Sequence, residues 1–137
     1  MKFHHHNLEF EISDSLLTKG SVFGFKPKNK SYLVDFESVS DNTKVISLSY
    51  NDFEPLYHRQ KAKGIFCDDV LTADERVLRI IKWLVSDHKI EPIEYSLSEH
   101  PNYKYKLEDG CHRFHVSLAL GFTEIPSIMK TWDIYNC

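Results

Sequence analysis

The chain has 137 residues, enough for one domain of ordinary size, and with 42% hydrophobic and 13% aromatic residues it can build a core, which excludes disorder. A net charge of −3 and a pI near 6.2 exclude a strongly basic surface of the kind that holds nucleic acid through its phosphates, although a local basic groove stays open. Cys67, Cys111 and Cys137 are irregularly spaced and odd in number, no apolar run reaches the length of a membrane span, and no signal-peptide core is visible, so the expectation is an intracellular, cytoplasmic protein with no membrane partner.

Residues 1–44 alternate in the manner of strands. Leu8, Phe10 and Ile12 share one face of NLEFEI, SVFGF follows Gly20, and SYLVDF follows the turn-like KPKNK. Together they predict a small antiparallel β extension over 1–44. The His4–His6 run within it has a metal-binding reading and an adventitious or structural one. Near Lys44 the pattern changes to VISLSY, a strand, and then to residues 51–69, where charge is mixed and no period is clear.

From Thr72 the signals are helical. Thr72 and Glu75 form a capping box, and Val77, Leu78, Ile81, Leu84 and Val85 make an apolar stripe ending near Asp87 or His88. IEPIEYSL then predicts a strand in which Pro92 takes an early or edge position, SEHPN a turn, and YKYKLE a second strand. Asp109-Gly110 breaks that strand. A second helix is predicted from Cys111 to Leu120, closed by a left-handed Gly121, and TEIPSIM returns as a last short strand. With no repeat or linker, these elements predict an α+β domain over 45–137 with two main helices, preceded by the β extension.

The junction Glu108-Asp109-Gly110-Cys111-His112-Arg113 carries most of the chemistry. The first N–H groups of a helix have no partners inside it, the peptide dipoles place partial positive charge there, and Gly110 lets a ligand approach the backbone. Phosphate is the usual occupant of such a corner. Arg113 offers a bidentate donor pair to its oxygens, and His112 a donor whose charge depends on pH. The bland alternative, a solvated first turn after a turn glycine, stays open on local sequence alone. Cys111 is a candidate nucleophile because a helix N-terminus beside His and Arg lowers a thiol pKa, yet its position on the face of Phe114 and Leu118 also reads as a small buried apolar group. Glu108 and Asp109 are candidates for general-base or metal-holding roles, with an ordinary turn residue as the alternative for Asp109. His115 lies one turn after His112, but no His or Cys stands at zinc-ligand spacing elsewhere, and no metal site is expected. Upstream, His58, Arg59, Lys61 and Lys63 could close over a polyphosphate or form a solvated charge run.

The stretch LEDGCHRFHVSLALGFTEIPSI resembles the signature of the ParB/sulfiredoxin superfamily: a strand ending in Asp-Gly, a His-Arg helix start, an Ala/Leu-rich helix, Gly, and Ile-Pro opening the next strand. Gly110 to Arg113 is similar to the Gly-Cys-His-Arg of sulfiredoxins, whose Cys is the catalytic thiol and whose loop binds ATP. The resemblance covers roughly residues 45–130. It departs at Asp109, where sulfiredoxins have Gly and the wider ParB-like group has Asp. It implies a small mixed-sheet fold and a nucleotide phosphate at the loop. ATP or another nucleotide, with Mg²⁺ to bridge its phosphates, is the cofactor so implied, held by Gly110, His112 and Arg113 with His58, Arg59 and Lys61. The functions that follow are a nucleotide-dependent phosphotransferase or hydrolase, a ParB-like DNA-binding or nuclease module, or a noncatalytic regulatory protein with a protein or DNA partner. Fold similarity does not choose among them.

Overall fold

The computed structural model describes residues 1–55 and 73–130. Its first strands, β1 (Lys2–His5) and β2 (Leu8–Glu11), pair antiparallel with Phe3 opposite Phe10 and His5 opposite Leu8. Directly opposed residues point to the same side of a ladder, so Phe3, His5, Leu8 and Phe10 form one face. That face turns inward: His5 and Phe10 are buried, and the Phe3 and Phe10 rings stack 5.7 Å apart.

Beyond the hairpin the expected strands give way to a helix. In α1 (Asp14–Lys19) the Ser13 hydroxyl caps the Leu16 N–H, Asp14 and Lys19 sit at the ends that suit their charges, and Leu16 and Leu17 are buried. SVFGF is not extended, because Ser21 and Gly24 adopt φ of 59° and 91°, outside any strand conformation. SYLVDF contributes a single parallel bridge between Val34 and Ile90. The chain therefore has three helices among its described residues, one more than its periodicity suggested.

The main sheet is built from β3 (Ile46–Ser49), β4 (Ile93–Leu97), β5 (Tyr105–Asp109) and β6 (Glu124–Met129), side by side in the order β3-β6-β4-β5. β6 runs parallel to β4, while β3 and β5 are antiparallel to their neighbours, so the sheet is mixed. The fold class is α+β, as the sequence led us to expect. Pro92 sits just before β4, where its missing N–H costs no ladder bond. A single 3₁₀ turn, Tyr50–Asp52, leads out of β3 and brings Phe53 alongside Tyr105 at the β5 edge.

Two helices complete the architecture. In α2 (Ala73–Val85), Val77, Ile80, Ile81 and Leu84 are buried, the spacing of one helical face. α2 stops at Val85, the last residue of its apolar stripe and two to three residues short of the expected end near Asp87 or His88, as Asp87 takes φ of 57° and the His88 N–H returns to the Trp83 carbonyl at 2.9 Å. Thr72 lies outside the described residues. α3 (Cys111–Ala119) packs against α2 and buries Phe114, whose ring meets Tyr50 and Phe53 edge-on, each at 5.1 Å. One apolar cluster draws on Phe10, Ile12, Leu17 and Tyr32 as well as on Ile93, Phe114 and Ile125, so residues 1–44 and the main sheet share a core. Each such side chain adds roughly 1.5–3 kcal/mol when fully buried. No helix among the described residues is long and apolar enough to cross a membrane.

Candidate functional site at the start of the third helix

The strand-to-helix turn is made by Gly110, at φ 99° and ψ 34°. A Cβ there would sit 2.6 Å from the Ile93 Cγ2 and 3.2 Å from the Arg113 Nη2. Glycine is required on two counts, the left-handed backbone and the close approach of β4. The Phe114 N–H makes the first helical bond, 2.8 Å to the Gly110 carbonyl, and with glycine at the cap position no side chain caps the turn. The helix opens onto the end of β5, as the motif led us to expect.

Arg113 folds back over this turn. Its Nη1 donates to the Pro92 carbonyl at 2.9 Å and lies 3.5 Å from the Glu91 Oε2, while Nη2 lies 3.6 Å from the Asp109 Oδ2. The arginine side chain is 18% exposed and the two carboxylates are 68% and 66% exposed, so a largely buried cation sits between two solvent-exposed anions. The backbone beneath it is pinned by Tyr32, whose hydroxyl donates to the Glu91 carbonyl at 2.6 Å. Burial raises the pKa of that hydroxyl, and the nearby Arg113 charge opposes the rise.

Cys111 and His115 form a separate, buried pair beneath the corner. The Cys111 Sγ lies 3.5 Å from the His115 Nδ1, and the same nitrogen lies 2.8 Å from the Cys111 carbonyl. A carbonyl only accepts, so Nδ1 carries the proton and cannot take another from the thiol. The imidazole is thus a donor to this cysteine. Cys111 is buried among core side chains, in keeping with its place on the Phe114 face.

Among the other predicted residues, His112 is half-buried in the first turn of α3. Strand alternation separates Glu108 from Asp109: Glu108 points to the opposite face of β5 from buried Leu107 and accepts a hydrogen bond from the Ser96 hydroxyl at 2.6 Å. Asp109 reaches the corner and Glu108 does not. His58, Arg59, Lys61 and Lys63 lie outside the described residues. No cluster of three or more His, Cys, Asp or Glu side chains able to hold a metal ion forms among the described residues. Sequence reasoning missed Tyr32, Glu91 and Pro92. The i, i+4 spacing of Asp109 and Arg113 was visible, but the contacts of Tyr32 and Glu91 span long sequence separations that no local pattern carries.

No family model matches the chain, and no curated protein matches it. Among solved structures it is similar to one described as the crystal structure of sulfiredoxin from Arabidopsis thaliana, at 17% identity and a TM-score of 0.46, over 65% of this chain and 86% of that one. A likeness at that level carries no functional argument.

Proposed function

We propose that the β5–α3 corner seats a nucleotide phosphate and that the chain is a nucleotide-dependent phosphotransferase or hydrolase. The observation that carries this reading is the placement of Arg113 across Gly110, anchored by the Pro92 carbonyl at 2.9 Å and flanked by two exposed carboxylates. Exposed ion pairs of this kind contribute about 0–1 kcal/mol each. A phosphate oxygen brings more charge and closer geometry, with charge-assisted bonds of about 2.7–2.9 Å, and so competes with both carboxylates for the guanidinium. In this reading the ligand meets the guanidinium at the start of α3, where the helix dipole favours negative charge, and His112 adds a further donor.

Phosphoryl transfer asks mainly for positioning and charge neutralisation. Asp109, released from Arg113 by the ligand, becomes the carboxylate nearest the phosphate and the candidate for a general base or a magnesium ligand. With Glu91 and Asp109 the carboxylates paired to Arg113 among the described residues, a Mg²⁺ ion there would take most of its shell from phosphate oxygens and water. Cys111 belongs to a variant of the proposal in which its thiolate attacks the terminal phosphorus of a nucleoside triphosphate, forming an S–P bond as the bridging P–O bond breaks and the nucleoside diphosphate leaves.

A thermal-shift and calorimetric screen of ATP, ADP, CTP and NAD, with and without Mg²⁺, tests the reading. At a concentration of about 100 Kd a true ligand adds roughly 2.7 kcal/mol and raises Tm. Arg113→Ala should remove the shift, and Arg113→Lys should restore it only in part, because a point charge replaces a fork. If no nucleotide raises Tm, or if Arg113→Ala retains the full shift, the phosphate seat is wrong. If Cys111→Ser keeps full turnover, the thiol variant alone is wrong.

A further inference from the structure

The histidine run at residues 4–6 is not absorbed by the corner site, yet it makes two of the long-range contacts that dock the N-terminal hairpin. The His5 Nε2 lies 2.8 Å from the Tyr50 carbonyl, and the His6 Nε2 lies 2.8 Å from the Phe53 carbonyl. Both acceptors are backbone oxygens of the segment that closes the β5 edge. His5 is only 4% exposed, and its ring stands edge-on to Phe114 of α3 at 5.1 Å. The hairpin thus rests on the inner side of the helix whose outer end carries Arg113.

An imidazole in this position satisfies one carbonyl as a neutral N–H donor. A second proton would place a charge in an apolar pocket. Among the described residues, the titratable groups facing it are His6 beside it, Tyr50 from the 3₁₀ turn, and His115 from α3, whose ring packs on Phe114 at 5.2 Å and on Phe10 of β2 at 4.9 Å. The Tyr50 hydroxyl is engaged with Ser117 at 2.5 Å. Glu9 of the hairpin pairs with Lys2 and His4 on its exposed face. None of these offers His5 a counter-charge.

We infer that His5 is an acid-sensitive latch: while its imidazole is neutral it holds the β1–β2 hairpin on α3, and its protonation weakens that hold and favours the open hairpin. The pKa follows the geometry, lowered by burial from the ordinary 6.5 to about 4, with His6 pushing the same way and the bond to the Tyr50 carbonyl opposing. The undocked hairpin exposes His5 to water, where its pKa returns to about 6.5. Protons therefore bind the open form in preference, and the opening equilibrium rises on the order of thirtyfold between pH 6.5 and 4.5. A two-stranded hairpin away from the core is marginal in water, so release should also loosen its ladder.

Amide hydrogen exchange on the full chain, corrected for intrinsic rates, reads this directly. Protection of the β1–β2 amides should fall on the order of thirtyfold from pH 6.5 to 4.5, and stay below that of the β4–β6 amides, which open only with the whole fold. His5→Gln keeps an N–H donor for Tyr50 but does not titrate, and should abolish the slope. His6→Gln should retain it. A level profile in the native chain, or an unchanged slope in His5→Gln, overturns the latch. Should His5→Gln fail to fold, NMR titration of the His5 ring in the native chain decides: half-protonation near pH 4 to 5 supports the latch, and half-protonation at pH 6 or above with the hairpin still docked overturns it.

Discussion

Two basic side chains in this protein donate to backbone carbonyls on opposite sides of α3, and they end in opposite states. Arg113 meets the Pro92 carbonyl in a partly buried corner, where two exposed carboxylates support its charge. His5 meets the Tyr50 carbonyl in the core, where its surroundings favour the uncharged ring. The hydrogen bonds have nearly equal lengths, 2.9 and 2.8 Å. What differs is the dielectric and the company, and these decide whether a basic group serves as a cation for a ligand or as a proton-sensitive structural pin.

The largest expected break in that comparison removes the ring on which both regions depend. Phe114→Ala should cost about 3–5 kcal/mol, measured by denaturant unfolding, because the ring is 1% exposed and fills the space among His5, Tyr50 and Phe53. Acid acts on the His5 side through a single buried ring. Since the folded pKa of His5 lies below its unfolded value, the unfolded chain binds the extra proton, and the contribution of neutral His5 is complete above about pH 6.5. It is lost as pH falls toward 4, with a total on the order of 3 kcal/mol that should vanish from the pH–stability profile of His5→Gln.

Smaller changes sharpen the corner. Gly110→Ala should lower stability by about 2–3 kcal/mol through the left-handed backbone and the clash with Ile93, and circular dichroism melts would show it. Tyr32→Phe deletes only the bond to the Glu91 carbonyl and should cost about 1 kcal/mol. In the same titrations as the nucleotide screen it should also weaken any ligand that depends on the position of Arg113. Glu91→Gln should move stability by less than about 1 kcal/mol yet tighten binding of an anion, since it removes a competitor for the guanidinium. Weaker anion binding in Glu91→Gln would contradict the phosphate seat.

The corner was legible because its parts are neighbours in the chain. Asp109, Gly110 and Arg113 fall within five residues, and strand alternation, a turn glycine and a helical period each have local causes. α2, α3 and the four strands of the main sheet were legible for the same reason. α1 was not: it has only six residues, and Leu8, Phe10 and Ile12 before it set an alternating pattern that SVFGF seemed to continue. The Ser13 cap was its one local signal. The pairing of Glu108 with Ser96 escaped notice because the β4–β5 register cannot be read from either strand alone.

By itself the sequence determined the α+β class, the helical faces, and the meeting of a strand end with a helix start at Gly110, all consequences of periodicities a few residues long. Tertiary structure alone decided that Arg113 lies between Glu91 and Asp109, that Cys111 turns into the core beside His115, and that a histidine near the N-terminus is buried against α3. The physical reason is that charge state and exposure depend on which distant groups surround an atom, and those neighbours exist only once the chain has closed on itself.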